Sequence, residues 1–280
     1  MTDVAQYQAW VGRTEEAGDI VTPHAVRGMR ALLDLEAVAS EGEELPPAWH
    51  WLFTNPSAPQ SKLGPDGHPV RGGFLPPIAL PRRMWAGSSV EFHAPIRVGD
   101  RLSRVSTLES VTAKTGSTGQ LVFVIVRHEI ASSSGGRTVD VQRIVYREAQ
   151  AGGNVAPART DPLPPPGEFS RTVQPDEVML FRFSALTFNG HRIHYDHPYT
   201  TQVEGYPGLV VHGPLIALVM LDCLHRHKPA ARVLGFEFTP KRPTTMPLPM
   251  TAHGRQEGKV CRLWTESGGA VASVATATLA

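Results

Sequence analysis

Cysteine is scarce in this chain: Cys223 and Cys261 are the two present in 280 residues. They stand far apart and form no C-x-x-C pair, which argues against a disulfide framework and a cysteine-type zinc site and favours two buried, reduced thiols. An excess of charge of either sign is missing too, since 27 Lys and Arg face 26 Asp and Glu. No broad basic field is therefore available to hold nucleic acid or an anionic membrane surface, although a small anionic ligand is compatible with the balance. No apolar run reaches the ~18 residues of a membrane span; the longest is "GPLIALVMLDCL" at 213–224. The opening "MTDVAQYQAWVGRTEEAGD" has no basic segment leading into an apolar one and is too acidic for a transit peptide. These absences predict a soluble, cytoplasmic protein. What is present, 41% apolar residues, is enough for a substantial core.

Between 149 and 174 the chain runs through Pro, Gly and Ala with neither a period-2 nor a period-3.6 apolar pattern. This predicts a linker between an N-terminal domain, 1–148, and a C-terminal domain, 175–280. In the first, "TPHAVRGMRALLDLEAVA" (22–39) predicts an amphipathic helix, with Thr22 as cap, Pro23 in the first turn, and Val26, Met29, Leu33 and Ala37 at helical spacing. A loop rich in Pro and Gly follows over 55–81. Strands are expected in 84–114 and 120–149, where β-branched and aromatic residues alternate with polar ones; "TAKTGSTGQ" and "SSSGGR" are the hairpin turns. In the second domain "GPLIALVMLDCLHRH" is apolar almost all round, as a helix wrapped by other structure must be, and strands resume beyond Arg232 with "ESGG" as the last turn. A short echo links the halves: "SVEFHAPIRVGDRL" (89–102) and "GFEFTPKRPTTMPL" (235–248) share a Glu-Phe pair entering a strand. A helix swaddled by an antiparallel sheet, twice in one chain, is an α+β architecture.

The densest chemistry lies in "FSALTFNGHRIHYDHPY", 183–199. His191, His194 and Asp196 could form a metal site, but H-x-x-H alone is a weak signal. The residues could also serve only to hydrogen-bond a loop, although so many ring nitrogens and amides beside an apolar helix are costly to keep for packing alone. The third reading is acid–base work: a histidine exchanges protons near neutral pH and an amide orients water, which suits addition or elimination of water. "VVHGP" then supplies a helix N-terminus whose free amides can hold a developing negative charge, with Gly213 small enough for a thioester oxygen to approach.

"FSALTFNGHRIHYD" followed by "YPGLVVHGPLIALVML" resembles the hydratase motif of the MaoC-like, R-specific enoyl-CoA hydratases: Phe or Tyr, a small polar residue, then Gly-Asp-x-Asn-Pro-aliphatic-His. In that alignment His194 matches the catalytic histidine, Ile193 the aliphatic residue and Asn189 the catalytic aspartate. Phe188, His191 and Arg192 stand where Gly, Asn and Pro are usual. The variant "LTFNGHRIHYD", with "PPAWHWLF", "LPRRMWAGSSVEFHAPIRVGDRL" and "QLVFVIVRHE", is similar to a subgroup containing mitochondrial-type 3-hydroxyacyl-thioester dehydratases and itaconyl-CoA and mesaconyl-CoA hydratases.

The resemblance implies a double hotdog, each half a sheet around a long helix. It implies one active site per chain, built by the C-terminal half and roofed by a non-catalytic N-terminal half of the fatty-acid-synthase dehydratase type. Proton transfer falls to His194, water orientation to Asn189 and the oxyanion contact to Gly213. His191, Arg192, Arg82 and Arg83 are the candidates for the acyl group's far end or the CoA arm; an arginine fork suits a carboxylate. "AWHWL" (48–52) is either a wall of the acyl pocket or an aromatic core segment. The expected substrate is a short, branched or dicarboxylic enoyl-CoA, with no metal and no cofactor, in a monomer or homodimer. Competing expectations are a carrier-protein dehydratase of fatty-acid synthesis, an acyl-CoA thioesterase, and a non-catalytic acyl-thioester-binding module.

Overall fold

The computed structural model describes residues 4–116, 119–148 and 163–280. Its strands are β1 (Thr14–Ile20), β2 (Arg82–Ala94), β3 (Arg101–Gly116), β4 (Gly119–Ser132), β5 (Arg137–Arg147), β6 (Phe169–Val173), β7 (Val233–Pro240), β8 (Met250–Glu257), β9 (Val260–Ser267) and β10 (Ala270–Leu279). They form one antiparallel sheet in the order β1-β3-β4-β5-β2-β7-β10-β9-β8-β6. Taken from each edge inward, the order is one five-strand pattern written twice, and the two copies abut through β2 and β7. At that seam Glu91 pairs with Gly235, Ser89 with Glu237, and Val90 with Phe236 between them. Superposing the echoed segments equates Ser89 with Gly235 and Glu91 with Glu237. The two outer pairs are therefore images of one contact about a pseudo-twofold axis through Val90 and Phe236.

The linker ends earlier than its composition suggests. Residues 149–162 lie outside the described residues, but Phe169–Val173 form the edge strand β6 on β8, because Phe169 and Val173 bury their side chains.

Helix α1 spans Pro23–Leu32, with Thr22 Oγ1 accepting from the Ala25 amide at its start. It stops short of Ala37. Asp34 takes a left-handed conformation (φ 57°), and the Leu35 amide turns back to the Arg30 carbonyl at 2.9 Å, closing the helix in a Schellman-type turn. Helix α2 (Glu177–Thr187) is capped by Asp176, and helix α3 (Gly213–His227) buries every side chain from Leu215 to Leu224. In the second half α3 is the long helix expected, packed on β6, β8, β9 and β10. The first half differs. Between Leu33 and Pro81 only short 3₁₀ turns occur, at Trp49–Leu52 and Gln60–Lys62, because prolines recur too often there for a long helix. Trp49, Trp51, Leu52 and Phe53 fill that space instead and join the same core as α3.

Candidate active site

Helix α2 ends where the motif begins. Phe188 sits in the left-handed region (φ 50°), and the Asn189 amide returns to the Ser184 carbonyl at 2.9 Å. Asn189 Oδ1 then accepts from the His191 amide at 2.9 Å, forming a tight turn that leads into the 3₁₀ turn Arg192–His194. His194 is buried, and its Nδ1 lies 2.7 Å from the Val210 carbonyl. A carbonyl can only accept, so Nδ1 carries the proton and Nε2 the lone pair. The His194 ring stacks on His212 at a centroid distance of 3.6 Å and meets His191 edge-on at 5.4 Å. His212 precedes Gly213 at the N-terminus of α3 and shares a 2.9 Å hydrogen bond through Nε2 with Ser184 Oγ.

Burial, then the charge of His191, pushes His194 down to about 3, and burial, then the charge of His68, takes His191 to about 3. Burial carries His212 well below its usual value. All three rings are neutral at pH 7, which leaves His194 Nε2 free to take a proton. Gly213 opens α3, whose first-turn amides have no intrahelical partner. A Cβ there would lie 2.8 Å from Trp85 Cε3, so only glycine lets the helix N-terminus close on that ring.

Two further groups reach this site from the first half; sequence reasoning named the 48–52 segment as a pocket wall or a core segment but missed Asp66, His68 and Asp140. The loop around Asp66 docks on the motif: the Arg192 amide donates to the Asp66 carbonyl at 2.9 Å. A Cβ on Gly67 would stand 1.9 Å from the Gly190 carbonyl oxygen. The loop brings His68 to a 4.1 Å ring contact with His191, while His68 Nδ1 bonds Asp66 Oδ2 at 3.1 Å. Burial works against the Asp66 charge, but the hydrogen bond and charge of His68 hold its carboxyl below the usual range. Four imidazoles thus form a column, His68, His191, His194 and His212, with Asp66 at one end and Ser184 at the other. "PDGHP" shows an aspartate two residues before a histidine in a glycine turn, but nothing in it points to the distant motif on which it docks.

The second group surrounds Asp140 on β5, which is buried and accepts from Trp51 Nε1 (2.8 Å), Gln142 Nε2 (2.8 Å) and Ser88 Oγ, with His50 Nε2 at 3.5 Å. Against the cost of burial, His50 holds this carboxyl at about 2. His68 from the first group and His50, Trp51, Asp140 and Gln142 from the second, with Asn189, His194, Gly213 and Trp85, line one open cleft of about 2770 Å³ between the halves. "AWHWL" is part core and part cleft wall: Trp49, Trp51 and Leu52 join the core, and His50 and Trp51 also face the cleft.

The four substrate-binding candidates separate. Arg192 is held by Asp196 Oδ2 at 2.7 Å and by the Pro65 carbonyl, and its guanidinium covers the Tyr199 ring. Asp196, thus engaged, also caps the Tyr199 amide and does not serve His194. Arg82 is buried against Glu204. Arg83 points to the other face of β2, into the cleft, and His191 lies in the cleft wall. As for metals, Asp66, His68 and His191 place ligand atoms within 4.8 Å of one another, a set that shares only His191 with the trio weighed as a weak metal signal in the motif.

A doubly written five-strand sheet with a cleft between the copies defines a double hotdog protein. Residues 48–246 match the family described as hydroxyacyl-thioester dehydratase type 2, and the chain belongs to that family. It is 46% identical to mesaconyl-C(4)-CoA hydratase of Chloroflexus aurantiacus over 242 residues, 85% of each chain. Two solved structures from Mycobacterium tuberculosis share the fold. HtdX has a TM-score of 0.68 and 16% identity, covering 95% of this chain and 99% of its own. A protein described as having a double hotdog fold has a TM-score of 0.58 and 14% identity, covering 96% of each. No helix among the described residues is long and apolar enough to cross a membrane.

Proposed function

We propose that the protein is a hydro-lyase that adds water across, or removes it to form, the double bond of a short dicarboxylic or branched enoyl-CoA. Mesaconyl-C4-CoA is the first substrate to test and itaconyl-CoA the second. The observation that carries this reading is His194: a buried, neutral imidazole whose Nδ1–H is tied to Val210, with Nε2 left as a base beside a helix N-terminus in an open cleft.

In the hydration direction His194 Nε2 takes a proton from water while the Asn189 amide orients it, and the water oxygen bonds to the β-carbon of the enoyl group. Electrons move to the thioester oxygen, where the Gly213 amide holds the charge, and return as the α-carbon takes the proton from His194 Nε2, which restores the neutral base. No metal or redox cofactor is needed for this balance. Gln142 and His128 in the cleft wall offer polar contacts to a short polar acyl group. On this reading residues 175–280 carry the chemistry and 1–148 enclose the substrate, in a cytoplasmic protein working as a monomer or homodimer.

The test follows the enoyl-thioester absorbance with wild type and His194→Ala, offered mesaconyl-, itaconyl- and crotonyl-CoA, with free thiol monitored in parallel. Loss of the band with wild type alone, and no thiol, is the expected result. Thiol release would indicate a thioesterase, and binding without turnover would indicate an acyl-thioester-binding module.

A further inference from the structure

A second carboxylate on a four-carbon acyl chain has no freedom of position. With the thioester at one end, it hangs on the β-carbon, which is also the carbon that accepts water. Its cation must therefore lie beside the histidine column rather than at a remote end of the cleft. This inference rests on the dicarboxylic part of the proposed function and asks which residue reads that group.

Arg82 and Arg192 are committed to Glu204 and Asp196. Arg104 also lines the cleft, but it lies 3.6 Å from Glu15, and its other charged neighbour is Asp140. Arg83 remains. It is half-buried in the cleft wall, and its charge reaches both His68 and His191, the two rings nearest His194 on that side. Among the described residues it has no carboxylate partner, unlike Arg82 and Arg192. Behind it, in register on β5, stands Tyr146, fully buried, with its hydroxyl beside the guanidinium. Burial raises the Tyr146 pKa, so the phenol stays neutral and does not neutralise the arginine.

We propose that Arg83 is the residue that binds the substrate's second carboxylate and sets the preference for dicarboxylic over monocarboxylic acyl-CoA, with Tyr146 as its positioning residue. An unpaired guanidinium in a partly desolvated wall recognises a carboxylate through two parallel hydrogen bonds, and a methyl group on the same carbon offers it nothing.

The test uses succinyl-CoA and butyryl-CoA, which differ only in carboxylate against methyl at the β-carbon and have no double bond to hydrate. Wild type should bind succinyl-CoA the more tightly. Arg83→Gln should lose roughly ten- to hundredfold in succinyl-CoA affinity, as expected for a charged hydrogen-bonded pair, while butyryl-CoA binding is unchanged. Arg83→Lys should recover part of the loss, and Tyr146→Phe should show a smaller loss in the same direction. A wild type without the preference, or a variant that weakens both ligands alike, overturns the assignment. Turnover of mesaconyl-CoA against crotonyl-CoA separates the two levels. If neither is hydrated, the hydro-lyase reading falls and the binding ratio still decides Arg83. If both are hydrated and Arg83→Gln leaves their kcat/KM ratio unchanged, the Arg83 assignment falls alone.

Discussion

The imidazoles of His194 and His212 lie face to face, 3.6 Å between centroids and 17° from parallel, and His212 is anchored in turn by Ser184. With Val210 holding Nδ1, the stack fixes the remaining rotation of the His194 ring and so the direction of Nε2. Removing the stack leaves the base present but loosely aimed. His212→Ala should lower kcat for an enoyl thioester by roughly ten- to hundredfold, the scale of a misplaced catalytic group, with KM nearly unchanged. His212→Phe, which restores a flat ring, should recover much of that loss. Steady-state kinetics on both variants check this; a change in KM alone would mean that His212 contacts substrate instead.

Asn189 has a structural task as well as the proposed one, because its Oδ1 closes the turn onto the His191 amide. An aspartate keeps that acceptor, whereas alanine removes it. Asn189→Asp should fold with an unchanged melting temperature and keep hydratase activity. Asn189→Ala should lose about 1 kcal/mol of stability with the turn bond, and kcat besides. Thermal melts beside kinetics separate the two effects.

Local patterns made much of this molecule legible. The apolar run after Gly213 marked α3, and the Glu-Phe echo aligned the residues that the seam between β2 and β7 pairs about its axis. The Arg192–Asp196 pair sits at helical i,i+4 spacing and was open to reading, yet Arg192 was held for substrate. Other features had no local signal. Edge strand β6 buries only Phe169 and Val173, too few for a period, and the end of α1 depends on the conformation of Asp34. Asp66 and His68 join the site through backbone contacts with Gly190 and Arg192, and such docking leaves no trace in either segment alone.

Phe188 stands where the hydratase motif has glycine, and its backbone keeps the geometry a glycine would adopt, φ 50° and ψ 35°. The side chain is largely exposed, so it contributes little packing to offset a conformation that costs an L-residue roughly 1–2 kcal/mol. Phe188→Gly should therefore be neutral or stabilising and leave turnover intact. Phe188→Val, β-branched and worse in this region, should destabilise by about 1 kcal/mol or more. Chemical denaturation of the two variants provides the comparison.

The neutral histidines make stability depend on pH in a definite direction. His191 and His194 stay neutral in the folded protein down to about 3, and His128, half-buried with Nδ1 2.8 Å from Ser106 Oγ, down to about 4, against 6.5 for the ordinary side chain. Above 6.5 neither the folded nor the unfolded chain protonates them, and they contribute no pH dependence. Below 6.5 the unfolded chain takes up protons that the folded one refuses, so the unfolded state gains and stability falls as pH drops. For each such histidine the loss at pH 5 is up to roughly 2 kcal/mol. Asp140, held at about 2, adds a further loss below its unfolded value of about 4. The melting temperature should be level from pH 8 to 7 and then fall steeply towards pH 5, with a shallower fall in His128→Asn. Over the same range kcat/KM measured on still-folded protein should show no loss centred near 6.5, since His194 remains a free base. An acid limb at 6.5 would place the working proton on a histidine more exposed than His194.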